Sequence, residues 1–131
     1  MKSPPFGHYA YELPGGWHII AGRTDRDNDQ LSTRWARPQD WWFHVKGMPG
    51  SHVLLKAPED FKGEIPRHLL ETAAAAAAWH SKARHGGRTA VSATPARHVS
   101  KPRGLPPGKV QIRKERIFKV RPRLPENYGD S

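Results

Sequence analysis

The chain has no cysteine, so neither disulfides nor a thiolate zinc site are available to it, and a reducing interior suits it. No apolar run approaches the ~18 residues that a membrane-spanning helix needs. The N-terminus lacks the uninterrupted apolar core of a signal peptide. Acids are scarce where bases are plentiful. Residues 1–81 hold nine Lys/Arg and nine Asp/Glu, whereas residues 82–123 hold thirteen Lys/Arg against Glu115 alone, and the last eight residues add two acids. The net charge of +10 is therefore a property of the second half, and its self-repulsion is relieved by a polyanionic partner. Also missing are a nucleotide-binding glycine loop, a nucleophile elbow and an acidic metal cluster. Neither a recognition helix nor a zinc finger for duplex DNA is present, and no amphipathic basic helix suits an anionic membrane. These absences predict a soluble cytoplasmic protein with no membrane association and no cofactor. Its 131 residues suffice for one core.

What is present centres on residues 40–56, Asp-Trp-Trp-Phe-His-Val-Lys-Gly-Met-Pro-Gly-Ser-His-Val-Leu-Leu-Lys. Two apolar runs flank a Gly-Met-Pro-Gly break, which predicts a strand, a tight turn and a second strand. With period two, Asp40, Trp42, His44 and Lys46 share one face and Trp41, Phe43 and Val45 the other. A register pairing Lys46 with Ser51 puts His44 and His52 on opposite faces, whereas a one-residue shift or a bulge unites them. The sequence leaves both open. A metal at the two histidines needs further donors, and Asp40 is the only obvious neighbour, so no metal is expected.

Around the hairpin, residues 1–15 read as a lead-in with no regular structure, residues 17–21 as a short strand, and residues from Asn28 or Asp29 to Ala36 as a short helix ended by Pro38. Pro66 opens a helix that runs through six alanines at 73–78 to Gly86–Gly87, a rod of roughly 30 Å. Its alanines suit close packing on a sheet. Strands follow at 88–94, 109–113 and 116–120, and residues 123–131 read as a flexible tail. The expected class is α+β, a small, mostly antiparallel sheet with one long Ala-rich helix packed on it.

Three motifs resemble the NFACT-R domain, the RNA-binding module of ribosome-quality-control factors of the RqcH/NEMF type. The first comprises Gly16, Trp17, Ile19, Gly22, Arg23, Asn28, Asp29, Leu31 and Ser32. The second comprises Asp40, Trp42, His44, Pro49, Gly50, Ser51, His52 and Val53, and the third Val99, Lys101, Pro102, Gly104, Pro107, Gly108 and Val110. Ser81, Lys82 and Arg84 match the family's Ala-rich helix end. Two positions depart from the pattern: Thr24 replaces a common Asn, and Ala93 a common Tyr. The resemblance covers residues 16–122 and implies an α+β domain engaging tRNA or ribosomal RNA. The other domains of the large NFACT proteins have no counterpart here, so elongation of stalled nascent chains is not carried over, and a stand-alone member is expected.

The expected RNA-binding residues are Arg23, Asp40, Trp42, His44, Lys46, Ser51, His52, Arg97, Lys101, Arg103 and Lys109. Lysines and arginines meet phosphate, Trp42 or His44 stacks on an unpaired base, and the Pro/Gly-rich 101–109 loop exposes backbone N–H groups. Arg23 reads equally as a phosphate ligand or as a partner of Asp25 or Asp40. The alternative is an RNA-processing or RNA-modifying enzyme. There His44 acts as acid or base, oriented by Asp40 and assisted by Ser51 or His52.

Overall fold

The computed structural model describes residues 3–125. Eight strands and two main helices follow in the order β1 (His8–Leu13), β2 (Trp17–Gly22), α1 (Asp25–Gln30), β3 (Trp41–Val45), β4 (Val53–Lys56), α2 (Arg67–Trp79), β5 (Thr89–Pro95), β6 (Val99–Ser100), β7 (Gln111–Ile112) and β8 (Arg116–Val120). A π-helical turn, Leu31–Trp35, continues α1. Six strands form one antiparallel sheet in the order β1-β2-β4-β3-β5-β8, and β6 pairs with β7 as a separate ribbon.

The period-two alternation decides which layer each side chain joins. Ile19, Phe43, Val45, Val53, Leu55, Val91, Ala93 and Phe118 point to one face and pack under α2. Ile20, Trp42 and Leu54 point to the other, where Leu31 and Trp35 of the π turn and Val99, Val110 and Ile112 of the ribbon cover them. Covered on both sides, β4 is buried throughout and β2 nearly so. This accounts for apolar runs that ignore alternation.

Alanine lets α2 lie close to the sheet: Ala73, Ala74, Ala76, Ala77 and Ala78 are all fully buried. Replacing Ala77 with Leu is expected to cost ~1–3 kcal/mol by overpacking. Glu71→Leu on the exposed side of the same helix should stay within ~0.5 kcal/mol, and the two urea midpoints give the comparison.

The helix is shorter than the sequence suggests, 13 residues rather than the 66–85 rod. Its last carbonyls are taken by Ser81 Oγ and Arg84 Nε, on Ala78 and Trp79, and the backbone just beyond it is taken by the β3–β4 connection. Ser51 N–H donates to His80 O (2.9 Å), Lys82 N–H donates to Pro49 O (3.3 Å), and Gly50 bridges Ser81. Pro66 is the residue before the helix rather than its first turn. The expected irregular lead-in instead contains β1, paired with β2 along its full length. The strand expected at 109–113 shrinks to Gln111–Ile112. The first helix begins three residues before Asn28, capped by Thr24, whose Oγ1 accepts from Asp27 N–H (3.1 Å) while the Asp27 carboxylate accepts from Thr24 N–H (3.1 Å). Of the expected tail, residues 126–131 lie outside the described residues. Among the described residues no helix is long and apolar enough to cross a membrane.

Candidate RNA-binding site

The hairpin register settles the histidine question. Trp42 pairs with Leu54 and Phe43 with Val53, one residue away from a Lys46–Ser51 pairing, so His44 and His52 fall on the same face, their ring centroids 5.1 Å apart. Among the described residues no three His, Asp or Glu side chains converge as a metal site.

His52 is an anchor. Its Nε2 lies 3.1 Å from the carbonyl of Gly108 and its Nδ1 2.7 Å from Ser32 Oγ. A carbonyl only accepts, so Nε2 carries the proton and Nδ1 accepts from the Ser32 hydroxyl. Ser32 Oγ in turn accepts the indole N–H of Trp42 (2.8 Å). The chain Trp42 → Ser32 → His52 → Gly108 requires a neutral imidazole. Burial, with a contribution from nearby His44, accordingly pushes the His52 pKa down to about 3.

Asn28 and Asp29 complete the fastening. Asn28 Oδ1 accepts the backbone N–H of His52 (3.0 Å), an approach possible only because Gly22 lacks a side chain: a Cβ there would lie 2.2 Å from that oxygen. Asp29 Oδ1 accepts Gly108 N–H (3.1 Å) and pairs with Lys101 Nζ (3.1 Å). Gly108 has φ +82°, and a Cβ on it would strike Asp25. The sequence pattern contains Asn28 and Asp29 but offers only a capping role for them. Their partners lie 24 and 79 positions away, so local spacing holds no signal for the role they take.

These pins hold the 101–109 loop beside the hairpin and leave a cleft of about 390 Å³ between the β3–β4 turn and residues 107–112. Its lining includes His44, Lys46, Met48, Gly50, Lys109 and Glu115. His44 is half-buried. Its pKa is lowered by burial and then by the Lys109 ammonium, so its ring is neutral at physiological pH. Beyond the loop, a groove of about 280 Å³ is lined by Arg37, Arg97, Ser100 and Lys101 among others. Arg97, Arg103 and Lys109 are exposed.

Several expected roles are corrected. Trp42 is only 3% exposed and its N–H is engaged, so it is no stacking platform; the polar face of β3 is covered by the second layer. Asp40 is buried, receives the Lys56 ammonium and Arg37 N–H (2.8 Å), and lies about 13 Å along the strand from His44. It therefore orients Lys56, not His44. Ser51 Oγ donates to the carbonyl of Gly22 (2.5 Å). Asp40, Ser51 and His52 are thus each committed to structural partners and form no proton relay with His44. Lys101 is committed too: Asp29, Pro106 O (2.7 Å) and Lys109 O (2.7 Å) occupy all three ammonium donors. Arg23 lies 5.0 Å from the centroid of Tyr9 and pairs with neither Asp25 nor Asp40. Lys46 pairs with Glu115 (3.2 Å). The cationic surplus gathers at the hairpin only in part, because Arg116 lies over Trp41 and Phe118 on the α2 side.

Fold and site define an antiparallel α+β domain in which a Pro/Gly-rich basic loop is pinned to a Trp-His hairpin. The family model described as NFACT protein RNA binding domain matches residues 8–114, and the chain belongs to that family. It is 38% identical over 112 residues to the Rqc2 homolog RqcH of Bacillus subtilis (strain 168), covering 86% of this chain and 19% of that protein. The Rqc2 homolog RqcH of Streptococcus suis (strain 05ZYH33) is 36% identical over 104 residues, covering 79% and 18%. The chain thus spans under a fifth of the length of these relatives. Among solved structures, the C-terminal part of the fibronectin/fibrinogen-binding protein from Streptococcus suis superposes with a TM-score of 0.77 at 32% identity, covering 94% of this chain and 47% of the other.

Proposed function

We propose that this domain binds tRNA or ribosomal RNA in a ribosome-associated, translation quality-control setting, through the 97–109 segment and the cleft beside His44. The observation that carries the reading is the fastening of the loop to the hairpin by His52, Asn28 and Asp29. It fixes a Pro/Gly-rich loop next to a neutral, half-buried imidazole and holds Lys109 there, within an otherwise acid-poor part of the chain. Ordering the loop before the ligand arrives lowers the entropy cost of binding. Arg97, Arg103 and Lys109 are the phosphate contacts, and Lys101 holds their scaffold.

Binding of tRNA measured across a salt series should weaken steeply. Lys109→Ala and Arg103→Ala should each lower the slope of log affinity against log salt by about 0.7–1 and weaken different RNAs alike. A flat salt response in the unmodified protein would remove phosphate contact from the mechanism.

A further inference from the structure

The cleft beside His44 has a chemistry of its own. Glu115, the sole acid among residues 82–123, stands in its wall, where it accepts the Ser92 hydroxyl and both carboxylate oxygens face Lys46 Nζ (3.2 and 3.3 Å). The Ser92 hydrogen bond, and after it Lys46, holds its carboxyl below the usual range against the opposing effect of burial, so it is ionised at neutral pH. A carboxylate here repels a phosphate; Ser92 and Lys46 fill both lone pairs of Oε2 and one of Oε1, and the Lys46 pair, with that side chain 55% exposed, is the one an incoming donor can replace. Asp25, Lys46 and Lys109 are the other charged groups of the lining, and the His44 ring, Met48, Pro107 and Ile112 supply its neutral and apolar surface. A volume of about 390 Å³ lies at the small end of ligand sites, suited to one nucleotide rather than a base pair.

The geometry points to this cleft as a pocket for a single unpaired guanine of the bound RNA, stacked on His44 and hydrogen-bonded by Glu115. Guanine presents two adjacent donors, N1–H and the exocyclic amine, to the fork of the carboxylate, where they take the place of the exposed Lys46 ammonium. Adenine and cytosine set a single amine beside an acceptor, and uracil sets one N–H between two carbonyls, so each turns an acceptor toward the negative charge. Splayed single-stranded bases are read in this way, by stacking and by hydrogen bonds to the Watson–Crick edge. His44 is the stacking surface because Trp42, behind it at 6.0 Å between ring centroids, is buried. Ser92 orients the carboxylate, and Lys109 at the rim meets the phosphate of the same nucleotide.

The inference rests on the RNA-binding reading above, and one experiment separates the two. Fluorescence anisotropy with the full chain would compare single-stranded oligoribonucleotides differing at one position: guanosine, inosine, which lacks the exocyclic amine, or adenosine. Guanosine is expected to bind about fivefold to tenfold more tightly than inosine, and adenosine more weakly still. E115Q should abolish the ranking while keeping the salt dependence, and Lys46→Ala, which retains the carboxylate, should keep the ranking. Equal affinity for all three oligonucleotides with a steep salt response, or an unchanged ranking in E115Q, overturns the guanine pocket and leaves RNA binding intact. No salt-dependent binding to any of them overturns the underlying reading. Should E115Q not fold, the inosine comparison on the unmodified protein decides alone.

Discussion

His52→Ala is expected to destabilise the domain by ~2–4 kcal/mol and to weaken RNA binding about tenfold. Truncation removes a fully buried ring and orphans the Gly108 carbonyl and the Ser32 hydroxyl, both tied to that ring. The Pro107–Lys109 end of the loop then loses its link to the hairpin, and Lys109 its fixed place beside the cleft. Hydrogen exchange should report this locally, as faster exchange of the Gly108 amide, which is bonded to Asp29. His52→Gln, which offers an N–H near the position of Nε2, should restore part of both losses. Acid gives an independent reading of the same bond network. The folded-state pKa of His52 is about 3 and that of His80, buried against Tyr11, about 4, both below the unfolded value of roughly 6.5. Their contribution to stability is therefore complete above pH 6.5. It is lost as pH falls toward 4 and then 3, because the unfolded chain takes up protons that the folded one refuses, at up to ~1.4 kcal/mol per pH unit for each group. Urea unfolding between pH 6.5 and 5, above most carboxylate titration, should show this slope, and His52→Gln should reduce it by one proton. An unchanged slope would mean that His52 protonates freely and does not hold the loop.

How far the sequence revealed this site depended on the range of the interactions involved. Which residues of β3 share a face followed from the alternation of 40–46, since that is set by backbone geometry alone. Whether the face was open did not: the cover over Trp42 comes from Leu31 and from Val99, Val110 and Ile112, segments whose docking leaves no mark in the hairpin's own pattern. The register was hidden for a similar reason. The ladder between the two strands ends at Phe43–Val53, and the connection is shaped from outside, by Ala90 accepting from Lys46 N–H and by His80 accepting from Ser51 N–H. The Ser51–His80 bond falls just past α2, which stops earlier than its basic end suggests. The π turn, Leu31–Trp35, was visible only as a helix, yet it places Ser32 between Trp42 and His52. By contrast, the tight turns of the 101–109 loop were legible from its Pro/Gly spacing, which acts locally: Gly104 and Gly108 both take positive φ.

Asp40→Ala tests another residue whose reading changed, and its expected cost is ~3–5 kcal/mol. Lys56 has 11% of its side chain exposed and Asp40 4%. Removing the carboxylate leaves a buried ammonium whose remaining neighbour is the Trp35 ring, 4.3 Å from its centroid. The same truncation frees Arg37 N–H, unravelling the turn that leads into β3. Removing both charges should be far cheaper than removing one. Asp40→Asn keeps an acceptor for Arg37, Lys56→Met keeps the apolar stem, and the double variant is expected to recover most of the loss. Urea unfolding of the four forms gives the coupling by a double-mutant cycle. Asp40→Asn/Lys56→Met also bears on function. Asp40 lies about 13 Å along the strand from His44 and Lys56 sits over the Trp35 ring of the π turn, so a folded double variant should bind RNA with an unaltered salt slope. A reduced slope would return Asp40 or Lys56 to the RNA surface, and a single-variant cost below ~1 kcal/mol would place the pair with solvent-screened surface ion pairs.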